Sequence, residues 1–222
     1  MNSSKLYNWC LEHRHPIFLA GLFSFFLIPE LLDKLFGINF PFQILLIVLI
    51  VTSIFIIQTL PRKRFLTYGL VIALIVFLFI WNRYQALKYI EGAAYIFLFA
   101  YFSFITYFLF KDLFRSKKIT VSVIIGAFSG YFMIGVICFF IFGYFDLAYP
   151  DTTNVDLTNA NGVEDMFYFS FITLTTIGYG DFAPTSALGQ KIAILEGLIG
   201  QFYIAIVMAV LVGKFLANPE MK

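Results

Sequence analysis

Long apolar runs separated by short polar segments make up most of this chain of 222 residues. A helix needs about 20 mainly apolar residues to cross the roughly 30 Å hydrocarbon core of a bilayer. A shorter apolar run, residues 165–175, ends at a glycine-rich turn and predicts a helix that enters a membrane and stops there. The first long run is expected to break near Pro29, where proline and charged residues crowd its far end. The six runs long enough to span are residues 17–36, 42–60, 65–81, 91–110, 119–145 and 188–215.

This pattern predicts an all-α membrane protein with six transmembrane helices and one re-entrant helix. With the N-terminus placed inside, eleven Lys and Arg residues lie in inner loops and four in outer loops, the bias expected of cytoplasmic segments. We therefore expect a multi-pass protein of the cell membrane, in contact with membrane lipid, with both termini cytoplasmic. The predicted division is a cytoplasmic N-terminus (1–16), a four-helix domain (17–110), a basic cytoplasmic linker (111–118) and a C-terminal domain (119–222).

Composition supports the membrane assignment and excludes several classes of function. The chain is 61% hydrophobic and only 13% charged, whereas soluble domains are about one quarter charged. A net charge of +2, with no basic run interleaved with residues that could read bases, argues against nucleic-acid binding. Cys10 and Cys138 lie far apart and belong to no metal-ligand motif, so we expect no metal site and no cofactor. No Ser/His/Asp set or phosphate loop suggests an enzyme, and no part of the chain has the composition of a soluble ligand-binding domain.

One segment is chemically specific: Thr175 followed by Thr176-Ile177-Gly178-Tyr179-Gly180-Asp181, directly after the short helix. It resembles the pore loop of the tetrameric potassium channel family, with isoleucine where valine is commoner. An ordinary Gly-Tyr-Gly turn would not require the preceding threonines, the following aspartate and a half-length helix. The resemblance implies a homotetramer with a pore helix and a selectivity filter on its axis.

In this family, rings of backbone carbonyls replace the water shell of the ion. The resemblance assigns K⁺ binding to the carbonyls of Thr176, Ile177, Gly178 and Tyr179, with the Thr176 hydroxyl as the lowest ring. Gly178 and Gly180 are expected to adopt backbone angles open mainly to glycine. The Ile177 and Tyr179 side chains are expected to point away from the ions and pack against the pore helix.

Four residues are expected to support the filter. The end of the pore helix near Thr175 should face the ion cavity, where the helix dipole favours a cation. The resemblance pairs Asp181 with an aromatic residue of the pore helix, here Tyr168, where many relatives have tryptophan. Glu196 is an acid at membrane depth, and such residues are costly and are usually functional. We expect it behind the filter, bonded to the pore helix, with structural support favoured over direct contact with ions.

The last span resembles the inner helix of these channels. Gly200 occupies the place of a hinge glycine, with Gly197 as a competitor, and either could equally serve packing. Helical spacing places five residues on one face, which is expected to line the cavity and to close the pore at an apolar ring: Gln201, Ile204, Met208, Val212 and Leu216.

The fourth predicted span, residues 91–110, contains no Lys or Arg. Six spans with one pore loop resemble voltage-gated channels, whose fourth span has regularly spaced arginines, so we expect a channel without such a sensor. Outer-loop acids predict a negative vestibule or, equally, a solvated loop without effect on conduction. A potassium-uptake transporter and a non-conducting regulatory subunit remain alternatives. The opening stimulus, and whether the subunits exchange domains, stay open.

Overall fold

A computed structural model of the chain describes residues 13–37, 42–57, 64–83, 88–116, 120–159 and 161–216. Seven helices make up nearly all of these residues, with one isolated antiparallel bridge between Thr153 and Pro184. The helices are α1 (Arg14–Phe36), α2 (Phe42–Ile57), α3 (Arg64–Arg83), α4 (Lys88–Arg115), α5 (Val121–Ala148), α6 (Gly162–Leu174) and α7 (Ala187–Leu216).

Three stretches within the described helices are long and apolar enough to cross a membrane: Tyr89–Arg115, Val121–Ala148 and Ala187–Lys214. Helices α1, α2 and α3 contain shorter apolar stretches, Arg14–Ile28, Leu45–Ile56 and Val71–Ile80. The prediction of an all-helical, membrane-embedded chain is therefore confirmed in its coarse form, while six spans stay a prediction.

Two boundaries differ from those predicted. Helix α1 continues through position 29 to Phe36, so the expected break near Pro29 is wrong; one proline removes a single backbone hydrogen bond, which a helix can survive. Helix α4 extends to Arg115, so the linker expected at residues 111–118 begins inside a helix. Hydropathy detects where a helix leaves the apolar core, which need not be where the helix ends. Residues 1–12 and 117–118 of the predicted cytoplasmic segments lie outside the described residues.

Hydroxyl side chains within the helices bond to their own backbone. Ser24, Thr52, Thr106 and Ser129 each donate to the carbonyl four residues earlier, at 2.7 to 2.9 Å. This pairing satisfies polar groups that would otherwise face hydrocarbon.

The chain forms two compact units, one comprising Met1–Arg83 and Tyr107–Gly130. Within it, α1 packs on α2 and α2 on α3. At the beginning of α1, the Arg14 guanidinium pairs with the Asp112 carboxylate at 3.0 Å. The neighbouring His15 side chain is buried against Gly126, where a Cβ would be only 3.0 Å from the imidazole.

The second unit comprises Tyr84–Thr106 and Tyr131–Lys222. Its core is aromatic: Phe102 stacks on Phe140, with ring centroids 5.6 Å apart, and Phe142 meets Phe169 of α6 edge-on at 4.9 Å. Gly135 leaves room for the Phe171 ring, because any Cβ there would collide with it. Helix α6 is therefore held firmly between α5 and α7.

Candidate functional site

Residues 176–180 follow the C-terminal end of α6 in an unusual backbone conformation. Positive φ angles occur at Thr176 (59°), Gly178 (53°) and Gly180 (84°), while Ile177 and Tyr179 do not share them. Backbones that alternate between left- and right-handed conformations turn successive peptide groups to the same side. The glycines tolerate this conformation without strain. Positive φ at Thr176, a β-branched residue, is strained, and no sequence pattern predicts it.

Three hydrogen bonds hold this segment and the helix end beneath it. The Gly178 amide donates to the Ile172 carbonyl at 3.2 Å, and the Thr176 amide donates to the Thr173 carbonyl at 3.0 Å. The Tyr131 hydroxyl of α5 donates to the Leu174 carbonyl at 3.2 Å. The backbone of residues 176–180 is thus bonded to the end of α6, while the five residues are themselves exposed in the single chain.

The Ile177 and Tyr179 side chains are 55% and 72% exposed in the single chain. The packing of these side chains against the chain's own α6, expected from the sequence, is therefore not present in the isolated subunit. Any partner that covers them has to come from another molecule or from lipid.

Tyr168 and Asp181 are in direct contact. The Tyr168 hydroxyl donates to Asp181 Oδ2 at 2.9 Å, and the Phe182 amide donates to Asp181 Oδ1 at 3.0 Å. The pairing expected from the sequence is present, and its effect on the segment between the two residues remains a prediction.

Glu196 of α7 is buried, with 2% of its surface exposed. Ser170 of α6 lies within 2.8 Å of Glu196 Oε1 and within 3.1 Å of the Gly135 carbonyl of α5. The buried Cys138 thiol also lies against the Glu196 carboxyl. The expected bond between Glu196 and the short helix α6 is thus present. The sequence did not identify Ser170 or Gly135, because a lone serine in an apolar helix has no distinguishing pattern.

The two candidate hinge glycines differ in their surroundings. A Cβ at Gly200 would collide with the Leu174 carbonyl oxygen, whereas a Cβ at Gly197 would lie 3.9 Å from its nearest neighbour. The absence of a side chain at Gly200 therefore lets α7 approach the end of α6, which favours packing at that position. At Gly197, a side chain would not prevent the approach of the two helices.

The predicted pore-lining face of α7 is exposed throughout the single chain. Nearest to the 176–180 segment, the Gln201 amide donates to the Thr176 hydroxyl at 3.3 Å. Thr175, in contrast, turns its hydroxyl back to the Phe171 carbonyl at 2.7 Å. The exposed residues on this face are Gln201, Ile204, Met208, Val212 and Leu216.

The acids of the loop between α5 and α6 have different environments. Asp146 accepts hydrogen bonds from the Thr153 amide at 3.0 Å and the Thr153 hydroxyl at 3.1 Å. Asp156 is exposed, and bonds from the Thr158 hydroxyl and amide lower the pKa of its carboxyl. Asp156 therefore stays charged, while Asp146 has a structural part in the loop.

Asn154 was missed by the sequence analysis, although it makes three bonds to the segment that follows Gly180. Its backbone amide donates to the Ala183 carbonyl at 3.0 Å. In its side chain, Oδ1 accepts from the Ala183 backbone amide at 2.6 Å, and Nδ2 donates to the Asp181 carbonyl at 3.1 Å. A single asparagine in a polar loop gives no signal for such contacts. Among the described residues, no cluster of His, Cys, Asp and Glu could hold a metal ion.

Residues 119–217, which include all of these elements, match the family model described as "Ion channel". The relatives that match include potassium channel proteins. Residues 119–217 are therefore similar to an ion channel family. The matched family and the relatives named below are channel proteins, not enzymes.

Three relatives illustrate the extent of the similarity. The potassium voltage-gated channel protein Shal of Drosophila melanogaster is 34% identical over 62 residues, 28% of this chain and 11% of the relative. Human potassium voltage-gated channel subfamily A member 4 is 33% identical over 85 residues, 38% of this chain and 12% of the relative. The rat voltage-gated potassium channel regulatory subunit KCNF1 is 29% identical over 87 residues, 39% of this chain and 16% of the relative.

The aligned part of the chain thus covers only 11 to 16% of the length of these relatives. No solved structure matches the chain with comparable significance.

Proposed function

We propose that the chain is one subunit of a homotetrameric, potassium-selective channel that conducts K⁺ passively across the cell membrane. The observation that carries the proposal is the alternating backbone of residues 176–180, here named the proposed filter. Positive φ occurs at every second residue, and we expect this alternation to turn successive carbonyls to one side, the arrangement required to replace an ion's water shell. Four copies around an axis would present stacked rings from Thr176, Ile177, Gly178 and Tyr179.

The burial of α7 supports assembly with further subunits. In the single chain, only 17% of the apolar, membrane-length stretch of α7 is buried, whereas 56% of the corresponding stretch of α5 is buried. Exposed apolar residues can face lipid, but the polar backbone of the proposed filter cannot, since unpaired carbonyls in hydrocarbon cost several kcal/mol each. The exposed side of the proposed filter therefore requires a polar, protein-lined interior, and four-fold closure of one repeated interface supplies it.

The lower pore is assigned to the exposed face of α7. Gln201 at its top reaches the Thr176 hydroxyl, which makes that face continuous with the proposed filter. Below Gln201 the face is apolar, and a ring of Met208, Val212 and Leu216 is narrow and dry enough in a closed tetramer to stop ions by dewetting.

The acidic loop is assigned to the outer mouth. Asp156 and Asp181 are exposed, and four copies of each would raise the local cation concentration at low salt. The effect is expected to weaken at physiological salt, where the Debye length is about 8 Å.

Weak voltage dependence is part of the proposal. The fourth predicted span, residues 91–110, has no Lys or Arg, and each charge moved across 100 mV contributes about 2.3 kcal/mol. Without a basic residue in this span, the membrane field has little on which to act.

A non-conducting regulatory subunit is the second candidate, because one relative of similar identity is named as a regulatory subunit. The complete proposed filter favours a conducting subunit, since a silent partner has no need of these backbone angles. A transporter with four pore loops in one chain is disfavoured by the single loop in this sequence.

Purified protein in liposomes distinguishes these functions. A channel passes K⁺ rapidly down its gradient with strong exclusion of Na⁺, a transporter is slow, and a silent subunit passes no ions. Gly178→Ala should abolish K⁺ preference, because a side chain at φ 53° strains the proposed filter.

Gly37→Ala is the matched control. Gly37 also has positive φ and open space around it, but it lies outside the proposed filter. Unchanged selectivity in assembled Gly178→Ala protein would refute the proposed filter, whereas equal loss in both variants would point to general misfolding.

A further inference from the structure

The loop between α5 and α6 is bonded to the chain that leaves the proposed filter. All three bonds of Asn154 go to residues 181–183, two of them through its side chain. The side-chain bonds define the orientation of the amide, since Ala183 N can only donate and Asp181 O can only accept. Asparagine supplies both a donor and an acceptor at this point.

Neighbouring residues extend the same attachment. The Thr185 amide donates to the Thr152 carbonyl at 3.1 Å, and the Thr185 hydroxyl donates to the Asp151 carbonyl. Thr152 and Thr153 are buried, and the bonds from Thr153 to Asp146 fix the loop to the end of α5. The attachment is therefore built on a helix, so Asn154 is presented from a fixed base.

Asp181 consequently has two anchors from different elements. Its side chain is held by Tyr168 of α6 at 2.9 Å, and its backbone carbonyl is held by Asn154 at 3.1 Å. The Asp181 peptide follows Gly180 directly, so a shift of this carbonyl would rotate the outermost residues of the proposed filter. The Tyr168 bond alone restrains the side chain and leaves the backbone free to turn.

We propose that Asn154 is a positioning residue that holds the Asp181 backbone and thereby keeps the outer end of the proposed filter conducting. The inference rests on the proposed function. It adds a second restraint, from the loop, to the one supplied by the pore helix.

The test compares three variants in single-channel recordings of the full chain in bilayers. Asn154→Ala removes both side-chain bonds. Asn154→Asp keeps an acceptor for the Ala183 amide but places a carboxylate oxygen against the Asp181 carbonyl. Asn159→Ala is the control, because Asn159 lies in the same loop, is exposed, and makes only backbone bonds among the described residues.

Both Asn154 variants are expected to shorten conducting bursts about fivefold or more, the change that loss of one or two hydrogen bonds produces. Raising K⁺ on the loop side should lengthen the bursts again, because an ion bound at the outer carbonyls restrains the same backbone. Selectivity within a burst should be unchanged. Asn159→Ala should behave as wild type.

Wild-type burst lengths in Asn154→Ala and Asn154→Asp would overturn the inference while leaving the proposed function intact. Short bursts whose length does not change when K⁺ is raised on the loop side would also overturn it, since they would indicate a gate elsewhere. Failure of both variants to assemble, with normal assembly of Asn159→Ala, would make Asn154 a folding residue and overturn the positioning role. Wild-type protein that passes no K⁺ would refute the proposed function, and this inference with it.

Discussion

Glu196 links three helices of one subunit through a single serine. The Ser170 hydroxyl lies 2.8 Å from Glu196 Oε1 and 3.1 Å from the Gly135 carbonyl, yet a hydroxyl has one proton to donate. The two contacts are separate hydrogen bonds when a second donor is present, and a carboxyl that holds a proton supplies it. Glu196 then donates to Ser170, and Ser170 donates to the Gly135 carbonyl.

This arrangement predicts a specific order of stability among variants. Glu196→Gln keeps a donor for Ser170 in nearly the same volume and should be close to wild type. Glu196→Ala removes the donor and leaves space at a site that is 2% exposed. Loss of a buried hydrogen bond costs about 1–3 kcal/mol, so a tetramer that melts as one unit would lose about 4–12 kcal/mol in total before any cavity is counted.

The assay is thermal melting of the purified protein in lipid nanodiscs, with Ser170→Ala and the double variant Ser170→Ala/Glu196→Ala completing a double-mutant cycle. Residues in direct contact should show a coupling of about 0.5–3 kcal/mol per subunit. Zero coupling would refute a bond between them. A Glu196→Gln protein as unstable as Glu196→Ala would refute the donor argument and indicate that the ionised carboxylate is needed.

Three further predictions follow from the geometry. Tyr168→Phe removes the bond to Asp181 and should accelerate the loss of K⁺ current during sustained opening, by about fivefold for a bond of about 1 kcal/mol; an unchanged time course would contradict this. Gly200→Ala should lower the melting temperature and Gly197→Ala should not, because an added Cβ would collide with a backbone oxygen at Gly200 and would be in ordinary contact distance, 3.9 Å, at Gly197; the opposite order would make Gly197 the packing residue. Steady-state open probability should change only shallowly with voltage, and a Boltzmann fit that needs several gating charges per channel would contradict the role assigned to residues 91–110, which contain no Lys or Arg.

Local sequence rules were sufficient for the helices and for the glycines of the proposed filter. Apolar runs locate helices in lipid because every backbone group must be paired inside the segment. The helix bounds predicted from these runs agree with the structure except where a helix extends into polar residues, as α4 does to Arg115. Positive φ at Gly178 and Gly180 was expected, since these positions follow from the motif itself.

Contacts between distant segments could not be predicted in the same way. Asn154 lies 27 residues before Asp181, and Ser170 lies 26 residues before Glu196. Neither pair has a periodicity or spacing that distinguishes it from other polar residues. The Tyr168 contact was found from sequence only because the family resemblance supplied the pairing.

The contacts that hold the proposed filter explain how a strained segment persists. Positive φ at the non-glycine Thr176 costs about 1–3 kcal/mol. Within the same subunit, the Gly178 amide bonds to α6, the Gln201 amide bonds to the Thr176 hydroxyl, and Asp181 is held at its far end. Each such bond contributes about 0.5–1.5 kcal/mol, so together they offset the strain before any neighbouring subunit is present. The proposed filter is therefore shaped inside each subunit, and assembly of the proposed tetramer would have only to bring four such loops to one axis and cover the exposed Ile177 and Tyr179.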